Sequence, residues 1–347
     1  MRVTIRQIAE QSGLSIQTVS QILNGNAESF RLDTQDRVLR TAQELGYRPN
    51  TSAQAMRSGQ FGAVALLLST HSERSILPSS LLDGLLDGTK AHNLSLHIAR
   101  LPDETLVNAE ALPKVLRELS VDGLLIKYDS AAPPEMVALI EESRLPALWI
   151  NTKQTYDSIY PDDLGGSRAA TEHLLSLGHR RIAFVDWLRA GHYSRDDRLA
   201  GYREAMENAG LEPCDLWPHP DQTNAESIRE TFGWLIAPDR PTALLTYHGG
   251  MAIATYHAAM LLGLQIPQDL SLIAFSDGTF NPIGPDIAAM LLPLYDVGVQ
   301  AIEMIREKQS DPSSHSLSRA ISLSLSLGAT VGLPPPRGEI FCRSARF

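Results

Sequence analysis

The sequence predicts an α/β protein in which an N-terminal all-α helix-turn-helix headpiece and a hinge helix precede two doubly wound parallel-sheet lobes. A helical pattern broken at Gly13 opens the chain, and from residue 62 onward short aliphatic runs alternate with helical patterns. A length of 347 residues accommodates a small headpiece and a larger domain. These patterns divide the chain into a headpiece at 1–48, a hinge or linker at 49–60 and a two-lobed domain at 61–347.

The first motif runs from Thr4 to Asn24 and consists of two short amphipathic helices joined by a tight turn. Thr4 is placed to cap the first helix, with Gln7 completing a capping box, and Ser15 is placed to cap the second helix. A third helix is predicted from about 33 to 45, with Asp33 as its N-cap and a glycine stop at residue 46. Three such helices are typical of a DNA-binding headpiece.

The second helix is predicted to have a polar, uncharged exposed side. Val19, Ile22 and Leu23 form its apolar face, so the opposite side is free to meet a DNA groove. Gln17 has the geometry to pair with adenine, and Ile16 to touch a thymine methyl group. The residues predicted to contact DNA in the headpiece are Thr4, Arg6, Ser15, Ile16, Gln17, Thr18, Ser20, Gln21 and Asn24. For the hydroxyl and amide groups among them, simple capping and solvation is the alternative.

The domain from residue 61 onward is predicted to contain parallel strands joined by crossover helices. Aliphatic runs at 64–68, 123–126, 147–150, 182–185, 243–246 and 272–275 are the predicted strands. Helical patterns at 81–92, 135–143, 166–177, 198–209, 225–235 and 251–262 are the predicted crossovers. Ligands of such folds bind at the carboxyl ends of the strands, so the loops there form the candidate site.

Charge and cysteine content narrow the class of protein. The net charge is −10, whereas the first 60 residues carry seven arginines against five acidic residues. This local and modest basic excess predicts weak binding by one headpiece and therefore a homodimer on a two-fold symmetric, palindromic DNA site.

Cys214 and Cys342 are expected to be ordinary reduced thiols, and no metal or cofactor site is predicted. Without a signal peptide or membrane span in the sequence, we expect a cytoplasmic protein.

Several motifs occur in the order found in one family. They include Thr-Val-Ser at 18–20, Gly-Tyr-Arg-Pro-Asn at 46–50, Val-Asp-Gly-Leu-Leu-Ile at 121–126 and Asp-Arg-Leu-Ala-Gly-Tyr-Arg at 197–203. On these motifs the chain resembles the LacI/GalR family of bacterial transcriptional regulators over roughly residues 3 to 335. The resemblance implies a domain similar to periplasmic sugar-binding proteins, with lobe crossings near 157–163, 291–295 and 318–321. The C-terminus lacks the leucine heptads of tetrameric relatives.

The resemblance also implies roles for hinge residues. Asn50 would cap a hinge helix, Ala53 would allow two hinge helices to approach closely, and Met56 would take the place of a leucine that wedges into the minor groove. The alternative for Met56 is an ordinary apolar linker residue. Gln21 stands where many relatives carry a guanine-reading arginine, so the operator is expected to differ from the common half-site.

Effector-binding residues are predicted on the loops at the strand ends. They are Ser69, Trp187, His192, Tyr193, Arg198, His248, Ser276 and Asp277. Arg198 matches the pocket arginine of the family, with an ion pair to Asp196 or Asp197 as its structural alternative. Core packing is the alternative for Trp187, loop closure for His248 and helix capping for Asp277. His248-Gly249 and Ser276 replace polar residues that many relatives use, which puts the usual clamping of sugar hydroxyls in doubt.

The predicted function is a transcriptional repressor of carbohydrate-utilisation genes that a small sugar releases from its operator. The alternative within the same class is a corepressor-type regulator, whose purine, sugar phosphate or other metabolite tightens DNA binding. A cytoplasmic sugar-binding protein or an enzyme is the alternative outside that class. The sequence contains no convincing catalytic carboxylate pair, nucleophile elbow or phosphate-binding loop, which argues against the enzyme.

Overall fold

The computed structural model describes most of the chain. The described residues are 3–24, 26–47, 60–71, 74–118, 120–130, 132–187, 191–216, 224–279, 281–282, 284–311 and 316–336. They fall into two compact units, residues 1–61 and residues 62–347, and each unit is considered by itself. The predicted hinge residues Asn50, Ala53 and Met56 lie outside the described residues, as does Cys342.

The described part of the N-terminal unit contains three α-helices around a small apolar core. The helices are α1 (Ile5–Ser12), α2 (Ile16–Leu23) and α3 (Leu32–Glu44). Ile8, Val19 and Val38 supply one fully buried side chain from each helix. Gly13 adopts φ 67°, the left-handed conformation that glycine tolerates best, and this allows the sharp turn between α1 and α2.

The predicted caps of the first two helices are present, and that of the third is not. The Thr4 N–H donates to Gln7 Oε1 at 2.9 Å, which closes the capping box, and the Thr18 N–H donates to Ser15 Oγ at 3.0 Å. The prediction that Asp33 caps α3 is wrong, because α3 begins at Leu32 with Arg31 as its N-cap. Asp33 instead lies in the first turn of α3, where the positive end of the helix dipole stabilises its carboxylate.

The described residues of the second unit form two six-stranded sheets with helices on their faces, which confirms the predicted fold class. The first sheet has the strand order β11-β5-β4-β3-β1-β2, and the second has the order β12-β10-β9-β8-β6-β7. The strands are β1 (Ala63–Ser69), β2 (Ser95–Leu101), β3 (Gly123–Lys127), β4 (Ala147–Ile150), β5 (Ser158–Pro161), β6 (Ile182–Val185), β7 (Cys214–Leu216), β8 (Ala243–Thr246), β9 (Ser271–Ser276), β10 (Ala288–Leu291), β11 (Arg319–Ile321) and β12 (Ser324–Ser326). All neighbours pair in parallel except β10 and β12.

The helices of the second unit cover both faces of each sheet. They are α4 (Ser79–Ala91), α5 (Asp103–Leu106), α6 (Ala111–Glu118), α7 (Pro134–Glu142), α8 (Asp163–Ser176), α9 (Tyr193–Asn208), α10 (Asn224–Ile236), α11 (Gly249–Leu261) and α12 (Leu294–Ser310). All seven residues of β1 are buried, since alternate side chains enter the cores on opposite faces. We call the part built on each sheet a lobe.

The chain passes between the lobes three times. It leaves β5 for α8, whose Leu174 belongs to the core of the second lobe, and it leaves β10 for α12, whose Val297 belongs to the core of the first. The third passage takes only residues 322–323, between β11 and β12. The Asp162 N–H donates to the Ile321 carbonyl at 2.8 Å and so links the first passage to the third.

Candidate DNA-binding surface and effector cleft

The second helix of the headpiece, α2, buries one face and exposes the other. Val19 and Ile22 are buried, whereas 53% of the Ile16 surface is exposed and both Gln17 and Gln21 are exposed. No described residue bonds to the Gln17 or Gln21 side-chain amide. Two amides and one aliphatic side chain therefore remain free to meet base edges.

The remaining polar residues predicted to contact DNA in the headpiece already have partners within it. Ser15 Oγ lies 2.8 Å from Thr18 Oγ1, and Asn24 Nδ2 donates to Ser20 Oγ at 3.1 Å. Arg6 Nε lies 3.4 Å from Glu10 Oε1 in an exposed pair. Capping and local pairing therefore account for these groups in part, but each retains a solvent-facing side that a phosphate can approach.

The predicted effector residues of the second unit separate into different environments. Three of them, His192, Tyr193 and Arg198, lie in a buried polar cluster at the start of α9. Three others, His248, Ser276 and Asp277, line a cavity at the start of α11. Ser69 and Trp187 belong to neither group.

Arg198 occupies the centre of the polar cluster and is only 5% exposed. Its Nε and Nη2 atoms both lie 2.7 Å from Asp163 Oδ1, and its Nη1 donates to the Tyr247 carbonyl. The guanidinium carbon lies 4.7 Å from the centre of the Tyr247 ring and 4.3 Å from that of Phe275. The predicted alternative partners were wrong, because the ion pair is made with Asp163 rather than Asp196 or Asp197.

The first turn of α9 also connects the two lobes. His192 Nε2 lies 2.9 Å from the Asn151 carbonyl, Lys153 Nζ lies 2.7 Å from Asp197 Oδ2, and the Tyr193 hydroxyl donates to the Pro161 carbonyl at 3.3 Å. Asn151, Lys153 and Pro161 belong to the first lobe. We call these three contacts the interlobe clasp.

Burial controls the charge of the histidine in the clasp. Desolvation, together with the nearby charge of Lys127, lowers the pKa of His192 to about 3. His192 is therefore neutral at pH 7. Its Nδ1 lies 2.7 Å from Ser194 Oγ, so this uncharged ring is hydrogen bonded at both nitrogens.

Sequence analysis missed three ionisable residues around the clasp. Lys127 and Asp129 at the end of β3 form a buried ion pair, and Asp129 Oδ1 lies 3.6 Å from His192 Nε2. Burial lowers the pKa of Lys127 to about 7. Burial also raises the pKa of Asp163, against the pull of Arg198. A lysine closing an aliphatic run, Leu-Leu-Ile-Lys, was the signal available in the sequence.

Ser69 and Trp187 are placed differently from the cavity residues. Ser69 is fully buried at the end of β1, and its hydroxyl donates to Asp103 Oδ1 at 2.6 Å. Trp187 is 8% exposed and packs in the core of the second lobe. Both therefore have a structural role, and their contact with an effector stays a prediction.

The cavity at the start of α11 has a volume of about 390 Å³, within the range of small-molecule sites. His248 caps α11, with its Nδ1 accepting from the Gly250 N–H at 2.8 Å, so loop closure is one of its roles. Ser276 Oγ accepts from the Gly278 N–H at 3.3 Å, whereas the neighbouring Asp277 side chain is exposed at the cavity. Phe275, Ile287 and Leu292 provide apolar walls.

Two features are absent from the described part of the chain. None of its groups of His, Cys, Asp and Glu side chains has an arrangement that could hold a metal ion. None of its helices combines the length and apolar character needed to span a bilayer.

Comparison with known families gives two matches in chain order. Residues 4–50 match the model described as bacterial regulatory proteins, lacI family, and residues 171–331 match the model described as periplasmic binding protein-like domain. The first match contains the headpiece helices α1 to α3. The second contains most of the second lobe, including Arg198 and the cavity residues.

Similar proteins extend over most of the chain. Catabolite control protein A of Priestia megaterium is 26% identical over 88% of this chain and 92% of its own length. The HTH-type transcriptional regulator DegA of Bacillus subtilis (strain 168) is 27% identical, over 86% of this chain and 89% of its own length. These relatives are transcriptional regulators and not enzymes.

Solved structures show the same fold. The Lac repressor dimer bound to operator and the anti-inducer ONPF superimposes with a TM-score of 0.75 at 22% identity, covering 96% of this chain and all of that one. A complex of the transcriptional regulator CelR with cellobiose gives a TM-score of 0.62 at 21% identity, covering 95% of this chain and all of that one.

Proposed function

Because the chain belongs to the LacI family of bacterial regulatory proteins, and so is a DNA-binding transcriptional regulator, we propose that it represses carbohydrate-utilisation genes and is released from its operator by a small sugar. The observation that carries the DNA-binding half of this proposal is the free face of α2. This face exposes the side-chain amides of Gln17 and Gln21 and the aliphatic side chain of Ile16. No other described residue forms a hydrogen bond with either amide.

The operator in this proposal is palindromic and is bound by a homodimer. The first 60 residues have an excess of only two positive charges, so one headpiece gains little from phosphate contacts alone. Two linked headpieces on two half-sites gain affinity through effective concentration without new contacts. One solved structure of this fold is a Lac repressor dimer bound to operator. Such a regulator acts on DNA in the bacterial cytoplasm, which is the location we propose.

The division into a headpiece at 1–48, a hinge at 49–60 and an effector domain at 61–347 belongs to the same proposal. Asn50, Ala53 and Met56 are the hinge residues we expect to act at the operator centre. A hinge helix this short is unstable alone, so DNA binding and helix formation are coupled. Ligand that alters the lobes can then act on DNA affinity through the hinge.

The proposed effector site is the cavity at the start of α11. Asp277 supplies an exposed carboxylate able to accept hydrogen bonds from sugar hydroxyls, and Phe275 supplies an apolar wall. The CelR complex shows a sugar bound by a protein of this fold. The second candidate is a corepressor such as a purine, a sugar phosphate or another metabolite, and the aliphatic side chains of Ile253, Ile287 and Leu292 favour the purine among these because they can pack against its flat apolar face.

The test begins with selection of DNA from a random palindromic library by the full-length protein. Binding of the selected site is then measured by fluorescence anisotropy, with and without a panel of sugars, sugar phosphates and purines. We expect Gln17→Ala to weaken the selected site by roughly tenfold to a hundredfold, from about 1–3 kcal/mol per base contact. Gln43→Ala, at an exposed glutamine of α3, is the matched control and should bind normally.

The outcomes separate the two candidates. Release by a sugar supports the repressor, and tighter binding with a purine or sugar phosphate supports the corepressor. Equal losses in both glutamine variants would contradict the role given to the α2 face. Selection of no preferred DNA at all would contradict the operator proposal.

A further inference from the structure

A second cavity lies in the first lobe, between α7 and the segment that joins β4 to β5. Its volume is about 580 Å³, which is larger than that of the cavity at α11. Ala147 and Trp149 of β4, Val137 and Ile140 of α7, and Tyr156 of the joining segment line it. None of these residues is among those assigned to DNA or to the effector.

The cavity follows from an unusually short connection between parallel strands. Such strands are normally joined by a crossover of a dozen or more residues, most often a helix. Here β4 and β5 are parallel neighbours, but only residues 151–157 join them. A helix that would otherwise cover this part of the sheet beside α7 is replaced by an irregular segment, and space remains between that segment and α7.

The two faces of β4 differ in how completely helices cover them. Leu148 is buried in the core that contains α12. Ala147 and Trp149 belong to the opposite face, where Trp149 contacts the α7 side of the core and also lines the cavity. The cavity is thus bounded by rigid elements, β4 and α7, on two of its sides.

The lining combines an apolar aromatic interior with one unpaired cation. Tyr156 is 48% exposed, while Trp149 is only 6% exposed at the cavity base. Arg144 stands at the rim with φ 56°, and no described residue pairs with its guanidinium. The other cation, Lys308, lies 2.6 Å from Asp157 Oδ2 and is therefore already neutralised.

We propose that this cavity binds a small aromatic monocarboxylate, with its ring against Trp149 and Tyr156 and its carboxylate on Arg144. A planar guanidinium is suited to pairing with a carboxylate, and an aromatic ring suits an aromatic wall. Glu141 lies on the same rim as Arg144, so a second negative charge on the ligand is disfavoured. The site is separate from the effector cavity and does not depend on the proposed function.

The proposed site and the interlobe clasp share one segment of the chain, residues 151–157. The segment that lines the cavity with Gln154 and Tyr156 also carries Asn151 and Lys153, which make two of the three clasp contacts. A ligand held against this segment therefore acts on the residues that join the lobes.

The test uses indole-3-acetate as the probe and its neutral amide, indole-3-acetamide, as the matched comparison. Binding to the full-length protein is measured by calorimetry and by ligand-observed NMR. We expect the acid to bind about tenfold more tightly than the amide, since one charge-assisted contact distinguishes them. Arg144→Asn should remove that preference, and asparagine tolerates the positive φ of this position.

Two further variants complete the experiment. Ala147→Phe places a ring in the cavity and should abolish binding of both probes, whereas Arg168→Asn, at an exposed arginine of α8, should leave both unchanged. If Ala147→Phe does not fold, Arg144→Asn decides. Absence of binding by the acid, or binding that neither cavity variant alters, would overturn the proposal.

Discussion

The buried cluster at the start of α9 and the cavity at the start of α11 occupy similar places after neighbouring strands, yet they differ in what remains free. In the cluster, Arg198 is buried, the His192 side chain is only 13% exposed, and both use their polar atoms on protein partners. In the cavity, Asp277 is exposed and Ser276 is partly exposed. Two sets of polar side chains that look alike in the sequence therefore suit different tasks.

The comparison shows that burial, and not residue type, separates a group whose polar atoms are committed to protein partners from one that is free to meet a ligand. A buried guanidinium with a carboxylate, a carbonyl and two rings around it has little capacity left for a further partner. An exposed carboxylate beside apolar walls retains its full capacity. Substitutions at the cluster, the clasp and the cavity test this division.

Replacing Arg198 by methionine should have the largest effect on stability. The change leaves the Asp163 carboxylate buried without its cation, and breaking a buried pair in this way costs about 3–5 kcal/mol. Urea unfolding of the second unit, followed in the full-length protein, measures the loss in free energy of unfolding. Arg168→Met, which breaks an exposed pair with Glu204, should cost less than about 1 kcal/mol. Similar losses in the two variants would contradict the central role of Arg198.

The protonation of His192 should make the clasp sensitive to acid. Its folded-state pKa of about 3 lies below the ordinary value of 6.5, so the unfolded chain binds a proton that the folded chain does not. Stability from this group is complete above pH 6.5 and falls by up to about 1.4 kcal/mol per pH unit as the pH drops toward 3. Unfolding measured at pH 7 and pH 5 should show a smaller difference in His192→Asn than in the parent protein. His257→Asn, at an exposed histidine, should keep the parent's difference.

Asp277→Asn tests the cavity rather than the cluster. Because Asp277 is exposed, its substitution should change stability by less than about 0.5 kcal/mol. The affinity for whichever effector the ligand panel identifies should nevertheless fall about tenfold, since a charged acceptor is lost. Calorimetric titration of that effector gives the comparison. An unchanged affinity would place the ligand elsewhere.

Lys153→Met should have the smallest effect. The Lys153 side chain is 42% exposed, so its pair with Asp197 contributes at most about 1 kcal/mol, and salt weakens it further. Small-angle scattering and unfolding at low and high salt would detect any change in how firmly the lobes are joined. A loss as large as that of Arg198→Met would mean that the clasp depends on its exposed pair.

Periodicity in the sequence predicted the elements that bury both faces or one clear stripe. The six predicted strands are all present, because aliphatic runs such as Val64 to Leu68 are buried between covering helices. β2 was missed, since it pairs only with β1 and its residues are partly or fully exposed at the sheet edge. α12 was missed although its buried residues Leu294, Val297, Ala301 and Ile305 recur at helical spacing.

The candidate site was harder to predict for a related reason. Loop positions after the strands pointed to His192, Arg198, His248 and Asp277, but the contacts of His192 and Arg198 depend on partners far along the chain. Asp163 precedes Arg198 by 35 residues, so no local pattern identifies it as the partner. A sequence indicates which loops meet, whereas the packing decides which of their polar groups stay free.

The passage at residues 322–323 has a mechanical consequence. It joins β11 to β12, and these strands pair with β5 and β10, from which the other two passages leave. The hydrogen bond from Asp162 to Ile321 ties two of the passages together. Three tethers arranged in this way restrict sliding of one lobe along the other and leave rotation about a single axis as the freedom with least resistance. The two lobes of the second unit are therefore suited to a hinge rotation. A change at either cavity can then be transmitted as a change in the angle between the lobes.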